Sequence, residues 1–150
     1  LKVMLCKDLR WQRCDIKSTS LLGNVMTMNS AKEKGCDEVI MHKNNIITEG
    51  GASNVFFSDD DCVFTPKLSK NILPGITREL LIKEITAKGI KVKEGSYNAD
   101  DLLSAKSIWL TSSTKGLAQV VEIVNQKTNL EIDHKLFKEC NNIFTSNFLS

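Results

Sequence analysis

Apolar positions along the chain change period several times, and each change marks an element. Leu1–Leu5 is a short apolar run that reads as a strand. Leu9–Ile16, where polar and apolar residues partly alternate, reads as a second strand. From Thr19 to Lys34 the residues Leu21, Leu22, Val25, Met26 and Met28 roughly follow a helical period. Ser18 and Ser20 offer hydroxyls to cap that helix, and Gly35 stands where a helix ends. Glu38–His42, a turn at Lys43–Asn45 and a return over Ile46–Thr48 predict a hairpin. Beyond the small-residue stretch Glu49–Asn54, strands are expected at Val55–Ser58 and Cys62–Thr65 around the acidic turn Asp59–Asp61. Pro66–Asn71 reads as loop.

The second half alternates strands with helices. Ile72–Gly75 leads into a helix from about Ile76 to Lys88 with Leu80, Leu81 and Ile85 as its buried stripe, and Gly89 stops it. Ile90–Glu94 is a strand, and Asn98 caps a short helix reaching about Ala105. Ser107–Leu110 and Gln119–Val124 are strands on either side of the hydroxyl-rich turn Thr111–Lys115. Asp133 offers a cap to a last helix carrying Leu136, Phe137, Cys140, Ile143 and Phe144. Strands outnumber helices, and hairpins occur beside crossover helices. The fold class expected is a mixed α/β domain with a curled, pseudo-barrel sheet rather than a doubly wound one.

Composition narrows the function classes. The 150 residues make one domain's worth of chain, with a formal net charge of +2 and lysines scattered among acids, so a nucleic-acid partner is not indicated. No apolar run approaches the roughly 20 residues of a membrane span, and the first ten residues are too charged for a secretory signal. The five cysteines are odd in number and never form a C-x-x-C pair, and there are two histidines, so neither a disulfide scaffold nor a metal centre is expected. Reduced thiols in a cytoplasmic protein are the plain reading. The chain opens without Met, directly on an apolar run, which suggests a piece of something longer.

Four places offer chemistry. Lys17, within RWQRCDIKSTSLLG at the end of the expected strand, is an amine delivered to the junction before a helix; it reads either as a surface lysine or as a Schiff-base amine. In ILPGIT a glycine precedes a helix, where free N–H groups and the Thr77 hydroxyl suit an anion or simply start a helix. In TSST, consecutive hydroxyls follow a strand and suit phosphate oxygens or a turn that caps itself. In EGGASN, Glu49 is followed by small residues that let a flat group approach the backbone; it reads as a partner for a ring cation or as a turn glutamate. Ser53 and Asn54 read equally well as turn formers.

Together, an amine, a carboxylate and two phosphate cradles are what pyridoxal 5′-phosphate requires. The blocks RWQRCDIKSTSLLGNV, ITEGGASNVF, ILPGITRELL and WLTSSTKGLAQVVEI, in this order, resemble the class IV (fold-type IV) aminotransferases, and among them the D-amino acid transaminases. The resemblance implies that Lys17 holds pyridoxal phosphate as a Schiff base and is the catalytic base, and that Glu49 binds the pyridine nitrogen. It implies that Leu73 packs on the ring, that Ile76 and Thr77 bind phosphate, and that Ser112 and Ser113 form the second phosphate segment. No metal is implied. Gly51 and Ala52 stand where relatives tend to have serines, and the segment after Val124 lacks a clear Gly-rich hairpin.

The resemblance further implies an enzyme that moves an amino group between a (D-)amino acid and an α-keto acid and works as a homodimer. Residues 1–150 are then its single cofactor-binding domain, inactive without an N-terminal domain that supplies a phosphate-binding arginine and much of the substrate pocket. Aminodeoxychorismate lyase and the branched-chain aminotransferases are alternatives on the same fold. A degenerate domain kept for binding or assembly is the non-enzyme alternative.

Overall fold

A computed structural model of the chain describes residues 1–148. Strand β1 (Lys2–Lys7) is followed by helix α1 (Leu22–Glu33), the hairpin strands β2 (Glu38–Lys43) and β3 (Ile46–Gly50), then β4 (Asn54–Ser58) and β5 (Cys62–Pro66). Helix α2 (Ile76–Ala87), β6 (Lys91–Gly95), α3 (Ala99–Leu103), β7 (Ser107–Ser112), β8 (Gly116–Val120), β9 (Glu122–Ile123) and α4 (Lys135–Phe148) complete it. The strands form two mixed sheets, ordered β3-β2-β1-β9 and β6-β5-β4-β7-β8. The parallel pairs β1–β2 and β5–β6 are bridged by α1 and α2, because parallel neighbours need a crossover rather than a tight turn. Antiparallel β2 and β3 are joined at Asn44 and Asn45, both in the left-handed region (φ 49° and 66°) that a two-residue hairpin demands.

Period-two alternation sorts the apolar residues into layers. Val3, Ile40 and Ile47 of one sheet face Val55, Phe57, Ile108 and Leu110 of the other in a shared core. Phe56 and Trp109, on the opposite face of the second sheet, pack under Leu81 and Ile85 of α2 and Phe137 and Cys140 of α4. Met4, Val39 and Met41 meet Ala31 of α1 on the outer face of the first sheet. The order is helix, sheet, sheet, helix pair. The mixed α/β class expected from sequence is observed, and the sheets are not closed into a barrel. No described helix is long and apolar enough to cross a membrane.

Several expectations are corrected. Leu9–Ile16 is no strand: residues 8–21 run in bends and turns. The Arg10 N–H is taken by Asp8 Oδ1 (3.1 Å) and the Cys14 N–H by Lys70 O (2.7 Å), so neither is free for a ladder. Helix α1 starts at Leu22 after Leu21, with no side-chain cap from Ser18 or Ser20. Its periodic residues are not its buried ones. Leu22 is 72% exposed and Met26 64%, while Thr27 and Ala31 are buried. Leu80 is half-buried, leaving Leu81 and Ile85 as the buried apolar residues of α2. Thr111 and Ser112 belong to β7, not to the turn. The expected strand Gln119–Val124 is two strands, because the chain passes from one sheet to the other at Val121. Asn98 caps α3 reciprocally with Asp101, as the sequence suggests.

Candidate active site

The site is assembled from the ends of elements. β1 runs out at Lys7, and Asp8 then accepts from Arg10 at Nε (2.9 Å) and Nη2 (2.7 Å) and from the Thr48 hydroxyl (2.9 Å). Arg10 reaches on to Glu49 at the end of β3, its Nη1 donating to Oε1 at 2.5 Å. The other oxygen of Glu49 accepts from Asn54 Nδ2 (3.2 Å) and the Leu73 N–H (3.0 Å). Asn54 also donates to Leu73 O (2.9 Å), so one buried carboxylate and one amide tie β3, β4 and the approach to α2 together.

Glycines permit that closeness at two points. A Cβ on Gly75 would fall 2.2 Å from Asn54 Oδ1. A Cβ on Gly51 would lie 2.6 Å from Met28 Sδ and 2.8 Å from Glu38 Oε1, which itself accepts the Gly51 N–H. Gly51 is therefore matched to its own neighbours.

The electrostatics follow from burial. Loss of solvent pushes the Glu49 carboxyl up to about 7, against the opposing pull of the Arg10 guanidinium and the Leu73 N–H. Burial disfavours charge on Asp8 too, but its bonds from Arg10 and Thr48 outweigh that and hold its carboxyl below the usual range. Burial also lifts the thiol of Cys14, which donates to Trp11 O at 3.2 Å.

In front of this network lies a cavity of about 400 Å³. Lys17, Glu49, Leu73, Ile76, Thr77, Ser112 and Ser113, singled out in the sequence, all line it, although they come from four separate segments. Lys17 enters on the irregular segment and is exposed. Ile76 and Thr77 open α2, whose N-cap Gly75 makes no side-chain capping bond. Ser112 ends β7 and accepts the Lys115 N–H (3.2 Å), and exposed Ser113 follows it. Two further buried hydroxyls on the cavity wall, Ser53 Oγ and Thr111 Oγ1, have no partner in the protein. Orphaned hydroxyls beside a free helix N-terminus suit a ligand rich in acceptor oxygens. Among the described residues no group of histidines, cysteines and acids is placed to hold a metal.

The class IV amino-transferase family model matches residues 3–123, which includes every one of these side chains. The chain belongs to the class IV aminotransferases. It is 38% identical over 117 residues to a D-alanine aminotransferase of Listeria monocytogenes, covering 78% of this chain and 40% of that protein. It thus spans well under half the length of this class IV relative. A putative 4-amino-4-deoxychorismate lyase of Legionella pneumophila superposes with a TM-score of 0.87 at 25% identity, over 98% of this chain and 56% of that one. A branched-chain amino acid aminotransferase of Thermobaculum terrenum, solved in its PLP-form, has the same fold. Its TM-score is 0.84 at 19% identity, over 95% of this chain and 50% of that one.

Reading the sequence missed Asp8 and Arg10 and undervalued Asn54. Arg10 stood inside an expected strand and drew no attention of its own. Its signal was an acid two residues before it, Asp8, a spacing at which the guanidinium and carboxylate pair locally.

Proposed function

We propose that this chain is the pyridoxal 5′-phosphate-binding domain of a transaminase that moves an amino group between a D-amino acid and an α-keto acid. The observation that carries the reading is the single cavity onto which an amine, a buried carboxylate, a helix N-terminus and a hydroxyl-bearing strand end converge. When bound, the cofactor supplies an electron sink for charge developing at the substrate Cα. Lys17 would anchor it through Nζ, and its freed amine would be the base that takes the substrate Cα proton. Glu49, pinned by Arg10, Asn54 and the Leu73 N–H, offers its carboxylate to the ring nitrogen. Leu73 gives the ring an apolar surface. The Ile76 and Thr77 amides, the Thr77 hydroxyl, Ser112 and Ser113 bind phosphate oxygens.

The donors present fit the group: the orphaned Ser53 and Thr111 hydroxyls lack only acceptors. Exposed apolar side chains line the cavity, with Ile76 at 70%, Trp11 at 53% and Leu21 at 48%. They support a working form in which a further domain and a second subunit cover this face, in the cytoplasm where the cofactor and its amino acid substrates meet. The lyase and branched-chain readings share the same half-site and differ in the half that this chain does not contribute.

Titration with pyridoxal 5′-phosphate tests the reading. A visible Schiff-base band is expected, lost on borohydride treatment and absent in Lys17→Ala. The same band retained in Lys17→Ala would refute it. Assays of D-alanine, L-leucine and aminodeoxychorismate with the longer protein separate the three activities.

A further inference from the structure

The cavity's phosphate end has two halves on different elements, the N-terminus of α2 and the end of β7. Their separation depends on how α2 sits on the five-stranded sheet. Most of that seat is apolar, Leu81 and Ile85 against Phe56 and Trp109, and apolar contact is non-directional. Gly75, the N-cap, contributes no side-chain bond. Directional ties also hold the start of the helix. On the cavity side, Asn54 Nδ2 donates to Leu73 O at 2.9 Å and the Leu73 N–H to Glu49 Oε2 at 3.0 Å. On the far side, Arg78 holds the helix's first turn.

Arg78 follows Thr77 directly and is 4% exposed. Its Nη2 donates to Pro66 O at the end of β5 (3.0 Å) and to Glu94 Oε2 on β6. Its Nε, equally buried, makes no bond, so both ties leave from one nitrogen. β5 and β6 are parallel partners, with Pro66 opposite Gly95 and Thr65 opposite Glu94, so the clamp grips the rigid end of a ladder. Across the same sheet, Thr111 pairs with Asn54, and its hydroxyl, on a residue 2% exposed, is unpartnered on the cavity wall. The sheet thus fixes both Thr111 and, through Arg78, the helix end opposite it.

We propose that Arg78, clamped to Glu94 and Pro66, is a positioning residue that sets the spacing of the phosphate cradle. The proposal rests on the pyridoxal-phosphate reading above. Charge-assisted bonds to a guanidinium are short and directional, so they fix where a helix end lies as well as that it packs. Arg78 lies behind Thr77 and acts through that residue's N–H and hydroxyl.

Two ligands isolate the effect. Pyridoxal 5′-phosphate and pyridoxal carry the same aldehyde for Lys17, and only the first carries phosphate. The ratio of their dissociation constants therefore reports the cradle alone. Wild type is expected to prefer the phosphorylated form. Arg78→Met and Glu94→Gln are expected to shrink that preference about tenfold, the scale of one lost bond to a charged group, with pyridoxal affinity unchanged. Arg78→Lys restores part of it. Should Arg78→Met not fold, Glu94→Gln decides, since the Glu94 side chain is 43% exposed and its loss is tolerated more readily. A folded Glu94→Gln protein with the wild-type ratio overturns the clamp. A wild-type protein with no phosphate preference overturns the cofactor reading itself.

Discussion

The two sides of the cavity are built differently. The side made by α2, β4 and β7 rests on a packed layer in which Trp109, Phe56, Leu81 and Ile85 are fully buried, and its polar groups are pinned by Asn54, Glu49 and Arg78. The side that carries Lys17 is an irregular segment followed by a helix whose apolar residues face outward. One side is packed within this chain. The other leaves apolar side chains exposed. Arg10 joins them, bonding Asp8 on its own segment and Glu49 across the cavity floor.

The largest expected effect comes from cutting that join. Arg10→Met leaves two buried carboxylates, Asp8 and Glu49, facing each other without a cation, and is expected to cost about 3–5 kcal/mol in a urea titration. A loss under about 1 kcal/mol would mean that Arg10 does not join the two sides.

Next comes the contrast between the two helices. Leu81→Ala, under α2, is expected to cost about 2–5 kcal/mol, and Leu22→Ala, on the outer face of α1, to stay within about 0.5 kcal/mol. Equal costs would erase the distinction between a packed and an open side. Gly75→Ala places a methyl against Asn54 Oδ1 and is expected to cost about 1–3 kcal/mol, with the thermal midpoint as readout.

The smallest effect is on pH dependence. Glu49 has its folded-state value raised from 4.5 to about 7, so its contribution is fully present below about 4.5 and lost as pH rises through about 7. Asp8 runs the other way: its lowered value stabilises the fold above the unfolded value of 3.8 and is lost as pH falls below it. Denaturant titrations of Glu49→Gln between pH 4 and 8, values chosen to bracket about 4.5 and 7, should show a flatter loss of stability toward high pH than wild type. An identical slope would place Glu49 outside the titrating set.

How much of this the sequence showed follows the same division. Where apolar residues are buried on both faces of a strand, as in Val55–Ser58 and Ser107–Leu110, period and composition located the element. The helix α2 and the Asn98 cap were legible from local signals, a glycine before it in one case and a capping residue in the other. Leu9–Ile16 was misread because its alternation reflects a segment folded around one arginine, with Trp11 and Ile16 left outside. On α1 the helical period was real, but it faces away from this chain's core, and period alone does not say which surface a stripe covers. All seven candidate site residues line the cavity, while the bond between Arg10 and Glu49 stayed hidden because the two, 39 residues apart, meet through tertiary folding alone.

The central claim is that Lys17 is the amine of this cavity and the rest of its lining holds pyridoxal 5′-phosphate against it. The most direct measurement is borohydride reduction of the protein incubated with that cofactor, followed by peptide mass spectrometry. The account predicts one reduced pyridoxyl-phosphate label, on Lys17, lost in Lys17→Ala and weakened in Thr77→Val. A label spread over other surface lysines, or one that persists undiminished in Lys17→Ala, would contradict it.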